Sequence, residues 1–133
     1  MRIHHINFVV KDLDASIEYY EAILGEGVFE KDELPQRGAV TARANLDGQW
    51  FILVQPTDLE LAPGRHLKEH GEGFFLISFA VDNMAGAVLE IKSRGLEFAD
   101  SSDRKGLLNW WVRDLEKQNV SGVQIQICEE RGE

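Results

Sequence analysis

His4-His5-Ile6-Asn7-Phe8-Val9-Val10 decides the fold, because the chain repeats it. Slid forward by 71 positions, the stretch lands without a gap on Phe75-Leu76-Ile77-Ser78-Phe79-Ala80-Val81. Ile6 then meets Ile77, Phe8 meets Phe79 and Val10 meets Val81. The match runs on through Leu13 and Met84, Ile17 and Val88, and Tyr20 and Ile91. The first part alternates as a half-buried strand does, and the second recurs at the period of a helix lying on a sheet. A strand followed by a helix therefore occurs twice at one spacing, and an internal repeat constrains a fold more than any single motif. The informative mismatch is His5, which is answered by Leu76.

Working outward, residues 2–10 read as a strand with Ile6, Phe8 and Val10 on one face and His5, Asn7 and Val9 on the other. Asp12 is a natural N-cap for a helix to Leu24, whose Leu13, Ile17, Tyr20 and Leu24 face a sheet, and Gly25 ends it. Residues 26–38, with Pro35 and Gly38, read as a charged loop holding a short strand around Val28 to Lys31. Val40 to Leu46 and Gln49 to Gln55 are strands joined by the hairpin signal Asp47-Gly48. A connector follows, with one helical turn or two within Leu59 to His70, placed at His66 to Glu69. The pattern then recurs: a strand from Gly73 to Asp82, an Asn83-capped helix from Met84 to Arg94, and strands at Leu96 to Ala99, Leu107 to Arg113 and Val123 to Cys128. Asp114 to Gly122 reads as a polar loop and Glu129 to Glu133 as a frayed tail. The expected architecture is α+β, one domain over residues 1–133. Two βαβββ modules in tandem (1–57 and 73–133, with a connector at 58–72) form a cupped mixed sheet with the helices on its outer face.

Composition narrows the function classes. The 133 residues suit one ordinary domain, and 44% hydrophobic with 28% charged is a soluble mixture. A net charge of -9 opposes nucleic acid and anionic membrane surfaces, so neither is expected as a partner. The lone cysteine, Cys128, cannot form an internal disulfide, which points to a reducing, cytoplasmic setting. No signal-peptide pattern and no run of membrane-spanning length is present. A phosphate loop, paired-Cys motif, nucleophile elbow and carboxylate pair are also missing.

The stretches His5-Ile6, Val10 to Leu13, Tyr20 to Gly25, Leu67 to Gly73, Ile77 to Asp82 and Gly122 to Glu129, in this order, resemble the vicinal oxygen chelate superfamily. That group includes glyoxalase I, bleomycin-resistance proteins, extradiol dioxygenases and methylmalonyl-CoA epimerase, and the epimerase-like members are the nearest in pattern. The resemblance implies a divalent metal in the cup, held by four ligands at positions that fall here on His5, Ile52, Leu76 and Gln126. Ile52 and Leu76 cannot coordinate, and a Gln126 amide oxygen is a poor substitute for a carboxylate toward a hard cation. The metal set is therefore expected to be largely lost, and no cofactor is expected.

Alternation puts His5, Asn7, Trp50, Ile52, Leu76, Ser78, Gln124 and Gln126 on the concave face as the candidate ligand-binding set. Polar members would hold a ligand's head and apolar members would pack its body. His5 is the sole catalytic candidate. One of Trp110 and Trp111 faces in; Arg43 is either an anion contact or a solvated strand residue; Glu26, Glu30, Asp32 and Glu33 read as a solvated loop. The expected function is a glyoxalase/bleomycin-resistance-like protein that binds a small molecule, as a homodimer. The alternative is a lyase or isomerase like methylmalonyl-CoA epimerase or glyoxalase I, dependent on Zn, Ni, Co or Mn.

Overall fold

The computed structural model describes residues 1–116 and 123–132, and these described residues form eight strands and three α-helices. Their order is β1 (Ile3–Val9), α1 (Leu13–Leu24), β2 (Phe29–Leu34), β3 (Ala39–Leu46), β4 (Gln49–Pro56), α2 (Ala62–His70), β5 (Gly73–Ala80), α3 (Met84–Ser93), β6 (Arg104–Lys105), β7 (Trp110–Asp114) and β8 (Gln124–Glu130). The β-α-β-β-β order occurs twice, as the repeat requires. Two compact units result: His5–Phe75, and Met1–His4 together with Leu76–Glu133. The predicted loop up to Gly122 falls partly outside the described residues.

In the first unit the strand order is β2-β3-β4-β1. The two β3 edges are antiparallel, and β4 runs parallel to β1, with His5 beside Trp50 and Asn7 beside Ile52. The hairpin turns at Asp47 (φ 56) and Gly48 (φ 95), both with positive φ, as an Asp-Gly turn demands. The helix start is fixed twice: the Ala15 N–H donates to Asp12 Oδ1 at 3.1 Å, and the Leu13 N–H donates to Gln55 Oε1 on β4 at 2.7 Å. Ile17, Tyr20 and Leu24 pack with Leu13 on a core of Val10, Ala42, Phe51 and Leu53. Each large side chain buried there contributes about 1.5–3 kcal/mol relative to exposure. Even residues of β1 (Ile6, Phe8) join this core, so His5 and Asn7 turn to the opposite face.

Two expectations for this unit need correction. The short strand expected around Val28 to Lys31 is longer, running over Phe29–Leu34, and Arg43 pairs with its acids: the guanidinium lies 2.8 Å from Glu30 and 2.7 Å from Asp32. Arg43 is accordingly neither solvated nor available to an anion; its side chain is 13% exposed and its guanidinium sits 5.4 Å from the Trp50 ring centroid. In the connector, the helical turns expected within Leu59 to His70 form α2, nine residues long, with Pro63 in its first turn, where a missing N–H costs nothing.

In the second unit the order is β5-β8-β7-β6, with β5 and β8 parallel and the other pairs antiparallel. Asn83 Oδ1 caps α3 by accepting from the Gly86 N–H at 2.8 Å, and Glu129 accepts from the Met84 N–H at 3.2 Å. Met84 and Val88 pack on Ile127 with Val81, Ile91, Phe98 and Leu115 around them. The strand expected at Leu96 to Ala99 reduces to one bridge, Phe98 to Leu115, and the extra strand is β6 instead. Nor is the tail frayed at Glu129: β8 runs to Glu130, and the Arg131 N–H donates to the Asn109 carbonyl at 3.0 Å. The Arg131 guanidinium pairs with Glu129 and Asp103 and covers the Trp111 ring at 4.7 Å. Hydrogen bonds from Arg113 and Arg131 hold the Asp103 carboxyl below its usual pKa. No helix among the described residues is long and apolar enough to cross a membrane.

Candidate functional site

Each unit has a sheet face turned away from its helix, and the candidate residues lie there. On the first unit, His5 (4% exposed), Asn7, Trp50 and Ile52 (2%) share one face through the register of β1 and β4. Asn7 Oδ1 is buried without a hydrogen-bond partner. On the second unit, Leu76 lies beside Gln124 and Ser78 beside Gln126. Ser78 Oγ and Gln126 Oε1 are likewise buried and unpartnered. Gln124 is turned to backbone, its amide donating to the carbonyls of Leu115 and Ile125 at 3.2 and 3.3 Å.

Gln126 is oriented by residues that sequence reasoning missed. Its Nε2 donates to Asp114 Oδ1 at 2.9 Å. Arg104 reaches Asp114 Oδ2 at 3.3 Å and Asp100 at 2.7 Å, and the Asp114 N–H donates to the same Asp100 carboxylate at 2.7 Å. A carboxylate paired with arginine can only accept from the amide, so Gln126 must present its oxygen the other way. Asp114 was read as the start of a loop; the signal was the alternation Trp110, Val112, Asp114, which places it beside Gln126 on β8. Trp110 is the inward member of the tryptophan pair, 2% exposed and edge-on to His4 with ring centroids 4.6 Å apart.

The second unit also carries an open groove of about 910 Å³, lined by Arg2, His4, Asp82, Asn83, Cys128 and Glu130 among others. The His4 Nε2 lies 2.6 Å from Glu130 Oε2, and a His4 ring nitrogen lies within 4.8 Å of Cys128 Sγ. Burial lowers the His4 pKa, with Glu130 opposing it. Burial, helped by Glu130, pushes the Cys128 thiol up to about 12. As thiolate is the nucleophile, Cys128 in the metal-free native protein is expected to resist iodoacetamide in mildly alkaline buffer and to react fully once unfolded. Rapid native labelling by mass spectrometry would contradict that burial.

A family model for the Glyoxalase/Bleomycin resistance protein/Dioxygenase superfamily matches residues 2–117. The chain belongs to this superfamily. Within it, the chain is 26% identical to the mitochondrial methylmalonyl-CoA epimerase of Homo sapiens over 127 residues, covering 95% of this chain and 72% of that protein. It is 24% identical to the Mus musculus epimerase over the same length, 95% and 71% covered. Among solved structures, a Streptomyces coelicolor methylmalonyl-CoA epimerase variant in complex with 2-nitronate-propionyl-CoA superposes with a TM-score of 0.90 at 25% identity, covering 98% of this chain and 94% of that one. A methylmalonyl-CoA epimerase in complex with methylmalonyl-CoA and ammonium gives 0.90 at 25%, with 97% and 94% covered. Of the two readings of the sequence, these similarities favour the epimerase-like one over the bleomycin-resistance-like one.

The four metal positions that the superfamily pattern implies can be tested on this superfamily member's own side chains. Ile52 and Leu76 are hydrocarbon and buried, 2% and 3% exposed. Gln126 offers one neutral oxygen, and its amide nitrogen is committed to Asp114. Three protein ligands are the usual minimum for a catalytic metal. Of the four implied positions, His5 and the Gln126 amide oxygen are the two that carry a possible donor atom.

Proposed function

We propose that this glyoxalase-superfamily chain binds a short-chain acyl thioester of coenzyme A, as an epimerase-like protein that holds the acyl group without a four-ligand metal. The observation that carries the reading is the set of three buried, unpartnered oxygens, Asn7 Oδ1, Ser78 Oγ and Gln126 Oε1. A buried polar atom left unpaired costs about 1–3 kcal/mol; the Ser78 hydroxyl can donate to a thioester carbonyl, while Asn7 Oδ1 and Gln126 Oε1 accept and need an N–H or O–H, which a pantetheine amide of coenzyme A or an ordered water supplies. Similarity to epimerases solved with CoA thioesters supports the ligand class. The candidate polar contacts are His5 and Asn7 on the face of the first unit, and Ser78 and Gln126 on the face of the second. Trp50, Ile52 and Leu76 would pack its apolar carbons, and Gln124 would serve at the margin.

The reading predicts binding of propionyl-CoA but not of free propionate, with Asn7→Leu and Ser78→Ala each weakening affinity about 5- to 10-fold, the equivalent of a hydrogen bond of about 1 kcal/mol. Isothermal titration measures this; equal binding of coenzyme A and propionyl-CoA would contradict a role for the acyl group. A second reading, isomerase or lyase turnover, is favoured by the epimerase relatives. Proton exchange beside a thioester carbonyl needs a base and an electrophile. His5 is the nearest candidate base by position, and deuterium incorporation at the α-carbon of methylmalonyl-CoA would establish turnover. The reducing compartment expected from Cys128 goes with a cytoplasmic protein, and a homodimer remains the proposed assembly.

A further inference from the structure

The groove of the second unit gathers three different donor types that neither the proposed ligand site nor the superfamily's metal positions use. His4 is an imidazole 1% exposed, held edge-on by Trp110, with Nε2 2.6 Å from the Glu130 carboxylate. Cys128 is a thiol with no exposed surface, and its Sγ lies within 4.8 Å of a His4 ring nitrogen. Glu130, with a side chain 43% exposed, can shift toward an arriving ion while the other two stay fixed by packing. Asp82 and Glu90 line the same groove with Arg2, so its carboxylates outnumber its side-chain cations.

We infer that this groove is a binding site for a borderline-soft divalent metal ion of the zinc or cobalt class, with His4, Cys128 and Glu130 as its protein ligands and a fourth position open to the groove. The chemistry of the donor set selects the ion: thiolate with imidazole and one carboxylate suits zinc-class metals, whereas magnesium and calcium prefer all-oxygen shells. As the metal–Sγ bond forms, the thiol S–H bond breaks and its proton passes to solvent. Glu130 exchanges its contact with the ring for one with the ion. The positive ion supplies the stabilisation of sulfur's charge that the metal-free site lacks, so binding strengthens as pH rises.

Cobalt(II) chloride added to chelator-stripped protein tests the site. The expected result is about one cobalt per chain, with a near-ultraviolet sulfur-to-cobalt charge-transfer band and visible absorption of tetrahedral intensity. Cys128→Ser should abolish the charge-transfer band, and His4→Gln or Glu130→Gln should weaken cobalt binding at least tenfold, while Leu89→Ala, exposed on α3, leaves it unchanged. Unaltered circular dichroism of the metal-free variants excludes misfolding as the cause. Should Cys128→Ser or His4→Gln fail to fold, the natural protein still decides: zinc addition should release protons, about one per site, as measured with a pH dye. No stoichiometric cobalt, a charge-transfer band that survives Cys128→Ser, or zinc binding without proton release would each overturn the assignment.

Discussion

Leu53→Ala lowers the free energy of unfolding by about 2–5 kcal/mol. Leu53 has no exposed surface and sits on β4 with Phe8 on one side and Ala42 on the other in register. Its face carries α1, whose Leu13, Ile17, Tyr20 and Leu24 pack on the same cluster. Truncation removes three carbons from that contact and leaves a void that the aromatic neighbours Phe51 and Tyr20, themselves packed ring against ring at 4.9 Å, cannot close without losing their own geometry. Leu89→Ala is the matched control: this leucine is 71% exposed on α3, and its loss should change stability by no more than about 0.5 kcal/mol. Urea melts of both variants measure the difference. A cost under about 1 kcal/mol for Leu53→Ala would mean that the core under α1 is not packed as described.

Asp114→Ala should cost about 1–3 kcal/mol and also weaken propionyl-CoA binding. The carboxylate accepts from the buried Gln126 amide and from Arg104. Removing it strands a buried donor, which carries most of the cost, since Arg104 keeps Asp100. The amide is then free to turn, so its oxygen no longer has a fixed direction. Asp114→Asn keeps the volume and an acceptor oxygen, and should retain more of both properties. If Asp114→Ala melts like the natural protein and binds propionyl-CoA equally well, Gln126 is not held in place by this carboxylate.

The fold was legible because the repeat states it: Ile6 with Ile77, Phe8 with Phe79, and two capped helices with one apolar stripe each. What failed to show were elements held by charge rather than by apolar alternation. The strand read around Val28 to Lys31 runs on to Leu34, and Arg43 lies across from Glu30, a pairing that local composition hides. Arg104–Lys105 is hidden in a similar way, its arginine tied to Asp100 and Asp114. The candidate site was legible to the level of which residues share a face, because the period of two settles that. Partners across strands were not: neither the Asp114 carboxylate behind Gln126 nor the Glu130 carboxylate beside His4 follows from spacing, since each depends on register between segments far apart in sequence. Ile52 and Leu76, by contrast, could be read directly, because no fold can make a hydrocarbon side chain coordinate a metal.

Titration of propionyl-CoA into protein dialysed against EDTA, repeated in the same buffer with cobalt(II) restored, tests the central claim most directly. The account predicts saturable one-to-one binding in EDTA, with an affinity that restoring the metal changes by less than about threefold, since its hydrogen-bond donors and acceptors come from the chain itself. Binding that vanishes in EDTA and returns only with the metal would contradict it.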